Sequence, residues 1–201
     1  MTTGEAQTAQ ILLTDRPLER VASEIAVAGF FVDERPLRGG AGRADWRLCG
    51  GLSRRILSGD LSGKTGEAML IACGRALAAQ RLLLVGLGDR HTYDRMRAGE
   101  EMRAALERCL RLRLRHVGLA PLGIAPDDVP RHASVLVRGI LDGLSAVAAS
   151  RSSEGLLPAR IELCVPRSEQ AGVRRALEAA CEKQAQGAVE VLTNGEEAQE
   201  G

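Results

Sequence analysis

Three short stretches carry residue types that hold anions through backbone N–H groups and cationic side chains. In Gly86-Leu87-Gly88-Asp89-Arg90-His91, two glycines, an acid and an arginine follow an apolar run. Two glycines at the carboxyl end of a strand leave backbone N–H groups free to meet an anion, which makes Gly86, Gly88, Asp89 and Arg90 candidate ligand contacts. A dinucleotide fingerprint needs a third glycine where His91 stands, so its close helix–strand approach is not encoded. The competing reading is a plain tight turn. The second stretch, Arg38-Gly39-Gly40-Ala41-Gly42-Arg43, reads as a glycine-rich loop flanked by arginines, with Gly39, Gly40 and Gly42 as candidate contacts. The third, Ser62-Gly63-Lys64-Thr65, contains the G-K-T of a phosphate-binding P-loop. Ser58 stands where the first P-loop glycine is required, and the segment leaves a helix and enters a strand, the reverse of P-loop order.

Catalytic chemistry finds no comparable foothold. G-x-S-x-G, S-x-x-K and H-E-x-x-H are absent, and the paired carboxylates Asp127-Asp128 beside Ala125-Pro126 read as helix-start chemistry. Five cysteines, Cys49, Cys73, Cys109, Cys164 and Cys181, form no C-x-x-C pair and read as free thiols in the core. His91, His116 and His132 lack metal-ligand spacing, so neither a metal nor a cofactor is expected. Arg108, Arg111, Arg113 and Arg115 cluster near a helix end, where cations stabilise the terminal carbonyls.

The elements that must position these residues alternate between strand and helix. Strands are expected at residues 10–13, 24–32, 68–73, 81–87, 116–120, 160–165 and 189–192, the second buried on both faces. Asp45 is placed to cap a helix whose Leu48, Leu52 and Ile56 recur every four residues until Gly59. Thr92 begins a helix bearing Met102, Leu106, Cys109 and Leu110 on one face. Pro130 suits the first turn of a helix with Leu136, Ile140, Leu144 and Val147 as its stripe. Ser168 caps a last helix with Val173, Leu177, Ala180 and Cys181 on one face. Alternation of this kind predicts an α/β fold: a mixed, mostly parallel central sheet with helices on both faces, and adjacent early strands supply the mixed pair. Residues 10–193 are expected to form one domain, between a flexible start at 1–9 and an acidic flexible tail at 194–201.

Composition narrows the partners. Lys+Arg 27 against Asp+Glu 26 leaves a net charge of +1, so no bulk field draws the chain toward polyanions, and nucleic acid is not expected. Phe30, Phe31, Trp46 and Tyr93 are the only aromatic residues, too few for several base-stacking platforms. No apolar run approaches bilayer length and no basic, apolar leader opens the chain, so a membrane is not expected and a cytoplasmic location is.

Taken in order, residues 24–90 have a distinctive pattern. A buried strand is followed by Asp33-Glu34-Arg35-Pro36-Leu37, Gly50-Gly51-Leu52-Ser53, Gly59-Asp60-Leu61-Ser62-Gly63-Lys64-Thr65-Gly66-Glu67 and Leu82-Leu83-Leu84-Val85-Gly86-Leu87-Gly88. This resembles the N-terminal domain of the cytosol (leucyl) aminopeptidase family, and the resemblance extends over most of the chain. It implies a three-layer macro-domain-like fold. It also implies that the two metal ions and the catalytic lysine and arginine belong to a separate C-terminal domain. The N-T-D-A-E-G-R motif of that domain is absent here, where Asn194-Gly195-Glu196-Glu197 is only an echo. No catalytic residue transfers from the family.

Three functions follow as expectations. The first is a stand-alone, non-catalytic interaction, assembly or regulatory module, a homo-oligomer or a partner of a complete aminopeptidase, since the complete enzymes form hexamers. The second is a macro-type module for a small anionic ligand, ADP-ribose-like or nucleotide-like. The third is a subunit contributing to a metal-dependent aminopeptidase complex.

Overall fold

The computed structural model describes residues 9–149, 159–184 and 189–193. The expected flexible start and all of the acidic tail lie outside these residues, apart from Ala9. Seven strands form one sheet: β1 (Ala9–Thr14), β2 (Ile25–Phe30), β3 (Ala68–Ala72), β4 (Arg81–Gly86), β5 (His116–Leu119), β6 (Arg160–Cys164) and β7 (Val189–Thr193). Their order is β3-β4-β2-β5-β6-β1-β7. All pairings are parallel except β3 with β4, the mixed pair expected from two strands adjacent in sequence. The central strands β2 and β4 are short apolar runs because both of their faces are covered.

Five helices supply the cover: α1 (Gly39–Arg47), α2 (Gly51–Leu57), α3 (Arg95–Arg111), α4 (Val129–Ala149) and α5 (Gln170–Gln184). Met102, Leu106 and Cys109 of α3, Leu136, Ile140 and Leu144 of α4, and Val173 and Leu177 of α5 fill one core with Val27, Val85, Val117 and Ile161. Ala41 and Ala44 of α1 and Leu52 of α2 fill the other with Ala26, Ala28, Leu82 and Leu84. Helices on both faces of a mixed sheet make the three-layer arrangement.

The expected glycine-rich loop at residues 38–43 is instead the start of α1. Glycine disfavours helix, but here tertiary packing wins. A Cβ at Gly40 would lie 3.1 Å from the Leu18 side chain and 3.2 Å from Cβ of Ala120, and one at Gly42 would lie 2.4 Å from the Leu37 carbonyl oxygen. The helix can lie against the sheet only because those atoms are missing.

The single helix expected from Asp45 to Gly59 is two, broken where Cys49 (φ 53°) and Gly50 (φ 76°) adopt left-handed backbone. Asp45 still caps, but across the break: its Oδ1 accepts from the N–H of Leu52 (2.8 Å) and Ser53 (3.0 Å), and its Oδ2 accepts from the Ser53 hydroxyl (2.5 Å). Thr92 belongs to a short 3₁₀ turn, and Asp94 caps α3 by accepting from the N–H of Arg97 at 2.9 Å. Ser168 likewise sits in a 3₁₀ turn that runs directly into α5. One correction concerns membranes: α4 is long and apolar enough to span one by length and composition. Its apolar stripe is core, however, and Arg131 and Arg138 lie exposed on its other side.

Candidate functional site

The two glycine-bearing stretches come to different places. At the carboxyl ends of β1, β5 and β6 a cleft of about 250 Å³ opens. Asp15, Arg16 and Pro17 line it after β1, Ala120 and Pro121 after β5, and Val165 and Pro166 after β6, with Gly39, Gly40 and Arg43 of α1 closing one side. The start of α1 has Arg38 as its N-cap and no side chain capping it, so its first-turn N–H groups have no side-chain acceptor at the wall where Gly39 and Gly40 stand.

The strand-end turns are fixed from below. The buried Thr14 hydroxyl accepts from the Arg16 N–H at 3.2 Å, and its carbonyl accepts from the Val165 N–H at 2.8 Å. Arg43 is held by Glu19 at 3.0 Å, whereas Arg16 is exposed. Cys164 also lines the cleft, but burial foremost, then the nearby Glu162 charge, pushes its thiol up to about 12, so it is not a thiolate nucleophile. The chemistry on offer is backbone donors, guanidinium groups and the Asp15 carboxylate. Asp15, Arg16 and Pro17 were not singled out from sequence. The pointer was their position after a parallel strand, since open α/β sheets place ligands beyond strand carboxyl ends.

Gly86 and Gly88 face a different occupant. The Gly86 N–H donates to the Glu67 carbonyl (2.9 Å), Leu87 to Phe30 (2.9 Å) and Gly88 to Gly63 (2.8 Å). The amides expected to be free for an anion are therefore committed to the chain itself. The Lys64 loop seals the turn: a Cβ on Gly86 would lie 2.3 Å from the Lys64 carbonyl oxygen. The G-K-T loop already encloses an anion of its own. The Glu67 carboxylate accepts from the Ser62 N–H (2.8 Å), the Ser62 hydroxyl (2.7 Å) and the Gly63 N–H (2.9 Å). The Ser62 hydroxyl above all, then the backbone amides, hold its carboxyl below the usual range.

Asp89 caps the following 3₁₀ turn by accepting from the His91 N–H at 2.7 Å. Arg90 pairs with the buried Glu34 and stacks 4.5 Å over the Phe31 ring. Neither Asp89 nor Arg90 lines the cleft, nor does Gly42, which lies within α1 against the Leu37 carbonyl. In the arginine cluster, Arg108 donates to the Gly66 carbonyl (3.3 Å) and Arg111 pairs with Glu107 (3.2 Å), so these two arginines serve local structure.

Among the described residues, Asp33, Asp89 and His91 form one group able to offer three ligand atoms within 4.8 Å, and all three are exposed. A two-metal hydrolytic centre needs several carboxylates converging from structured walls, which this trio does not provide. The family's metal chemistry does not fit here.

Comparison with known proteins bears on the family and the fold. The model of the cytosol aminopeptidase family, N-terminal domain, matches residues 27–154, more than half of the chain. The chain belongs to the cytosol aminopeptidase family. Within that family it corresponds to the N-terminal domain. It is 36% identical over 83 residues to a probable cytosol aminopeptidase of Paraburkholderia phymatum, covering 41% of this chain and 16% of that protein. It is 37% identical over 102 residues to one from Syntrophotalea carbinolica, covering 48% and 20%. The chain thus matches about a fifth or less of these relatives' length. Among solved structures, a tomato leucine aminopeptidase variant is similar with a TM-score of 0.64 and 17% identity, over 90% of this chain and 38% of that one. An Oceanobacillus iheyensis macrodomain variant gives 0.65 and 13%, over 91% and 98%. At such identities these likenesses establish the fold, and the fold of this cytosol aminopeptidase N-terminal domain is macro-domain-like.

Proposed function

We propose that this cytosol aminopeptidase N-terminal domain is a non-catalytic assembly module, joining copies of itself or docking onto a complete aminopeptidase in the cytoplasm. The observation that carries this reading is that the α1–α2 layer leaves two large apolar side chains in solvent. Trp46 is 77% exposed on α1 and Leu57 83% exposed on α2, while the turns that resemble catalytic or phosphate loops are hydrogen-bonded to the chain itself. Trp46 is the only tryptophan, so its emission reports on that surface. Titration with a complete cytosol aminopeptidase is expected to shift that emission to the blue and saturate. Unchanged emission, with no co-sedimentation of the two proteins, contradicts docking through this surface.

The cleft supports a second reading, a site for a small anionic ligand such as ADP-ribose or a related nucleotide. Gly39 and Gly40 at the start of α1, with Arg16 and Arg43 beside them, give it donors of the right charge. Solved macrodomains of the same fold from Oceanobacillus iheyensis and Trypanosoma brucei are described with ADP. No aromatic side chain lines the cleft, so such a ligand is held without stacking and weakly. Calorimetry with ADP-ribose decides: heat that is lost in Arg16→Ala supports the reading, and no heat at millimolar ligand removes it.

A further inference from the structure

The assembly reading, on which this inference rests, sets Trp46 and Leu57 against a complete aminopeptidase, and the β3 edge of the sheet offers a separate surface for a second copy. Among the described residues, strand β3 ends the sheet, with β4 as its only neighbour. Its register with β4 runs from Ala68 opposite Val85 to Ala72 opposite Arg81. The Gly86 N–H donates to the Glu67 carbonyl and the Cys73 N–H to the Gln80 carbonyl. Bonded pairs alternate along an antiparallel ladder, so residues 67, 69, 71 and 73 bond inward to β4. Ala68, Leu70 and Ala72 therefore turn their N–H and C=O groups to the open side.

Edge strands are ordinarily blunted by charge, proline or a bulge. Ala68-Met69-Leu70-Ile71-Ala72 has no charge and no proline, and its register runs unbroken. Met69 and Ile71 pack on the core below, while Leu70 stands 48% exposed.

We propose that β3 pairs antiparallel with β3 of a second copy of this chain about a two-fold axis through Leu70. The parity of the ladder favours this register. It places Leu70 opposite Leu70 of the second copy and Ala68 opposite Ala72, all on the outward-bonding set, which yields three bonded pairs and a continuous sheet across both molecules. The two exposed Leu70 side chains then cover one another.

The test is light-scattering mass of the full chain and four variants. Leu70→Pro removes an outward N–H and no bond to β4, and Leu70→Lys supplies the charge that edges ordinarily carry. The wild-type chain is expected to reach the mass of two chains, and both variants to weaken dimerisation roughly tenfold or more with little change in unfolding midpoint. In a Cys49→Ser background, Leu70→Cys is expected to form a reducible intermolecular disulfide and Arg131→Cys, exposed on α4, is not, because paired Cα atoms at the axis lie about 5.5 Å apart. A wild-type chain that stays at single-chain mass at every concentration overturns the pairing, and titration with a complete aminopeptidase then decides the assembly reading separately. A dimer left intact by both Leu70→Pro and Leu70→Lys also overturns it, while leaving assembly itself standing.

Discussion

Two carboxylates act as internal anions in this domain, and their behaviour with pH follows from what they accept. Glu67 takes hydrogen bonds from Ser62 and Gly63, and Glu24 takes two backbone N–H bonds, from Arg115 at 2.6 Å and His116 at 2.9 Å. Hydrogen bonding to the charged form holds both folded-state carboxyls below their ordinary value of 4.5. The stability they contribute is fully present above that value and is lost as pH falls through the lower folded-state one. Glu101 on α3 has the opposite sign: burial raises its carboxyl, so its contribution favours folding at low pH and fades as pH rises. Urea unfolding followed from neutrality into acid is therefore expected to show declining stability that Glu67→Gln flattens. An unaltered slope in Glu67→Gln contradicts the role given to that carboxylate. Asp45→Ala removes three hydrogen bonds at the start of α2 and is expected to cost about 1–2 kcal/mol in the same assay.

The helices show where close approach replaces hydrophobic bulk. Gly139 of α4 faces Gly99 of α3, and a Cβ on Gly139 would lie 2.3 Å from the Gly99 carbonyl oxygen. Gly139→Ala is thus expected to destabilise by about 1–3 kcal/mol through overpacking, read as a lowered urea midpoint. This is also where sequence reading succeeds and fails in identifiable ways. The apolar stripes of α3, α4 and α5 and the runs of β2 and β4 were legible because burial imposes period and hydrophobicity. The start of α1 was not, because glycines signal a turn locally and a close contact only when the sheet beneath is known. Asp45 was legible as a cap but not as one reaching over a break at Cys49 and Gly50. In the cleft, Gly39 and Gly40 were found for their flexibility, whereas Asp15, Arg16 and Pro17 derive their place from topology. Gly86 and Gly88 are governed by topology too: their amides are consumed by carbonyls of an earlier loop, at Glu67 and Gly63, a pairing no local pattern encodes.

At the scale of the whole molecule, the mixed sheet ends among the described residues on an uncharged edge strand, β3, and a layer, α1 with α2, leaves large apolar groups in solvent. The strand-end cleft can bind, but neither it nor the Asp33, Asp89 and His91 group assembles a hydrolytic centre. The contribution we propose for the domain in an aminopeptidase system is accordingly one of contact. Sedimentation velocity on the chain, alone and mixed with a complete cytosol aminopeptidase, tests this claim most directly. The account predicts a species heavier than one chain, either a dimer of the chain alone or a co-sedimenting complex. A chain that sediments as a single copy under both conditions would contradict it.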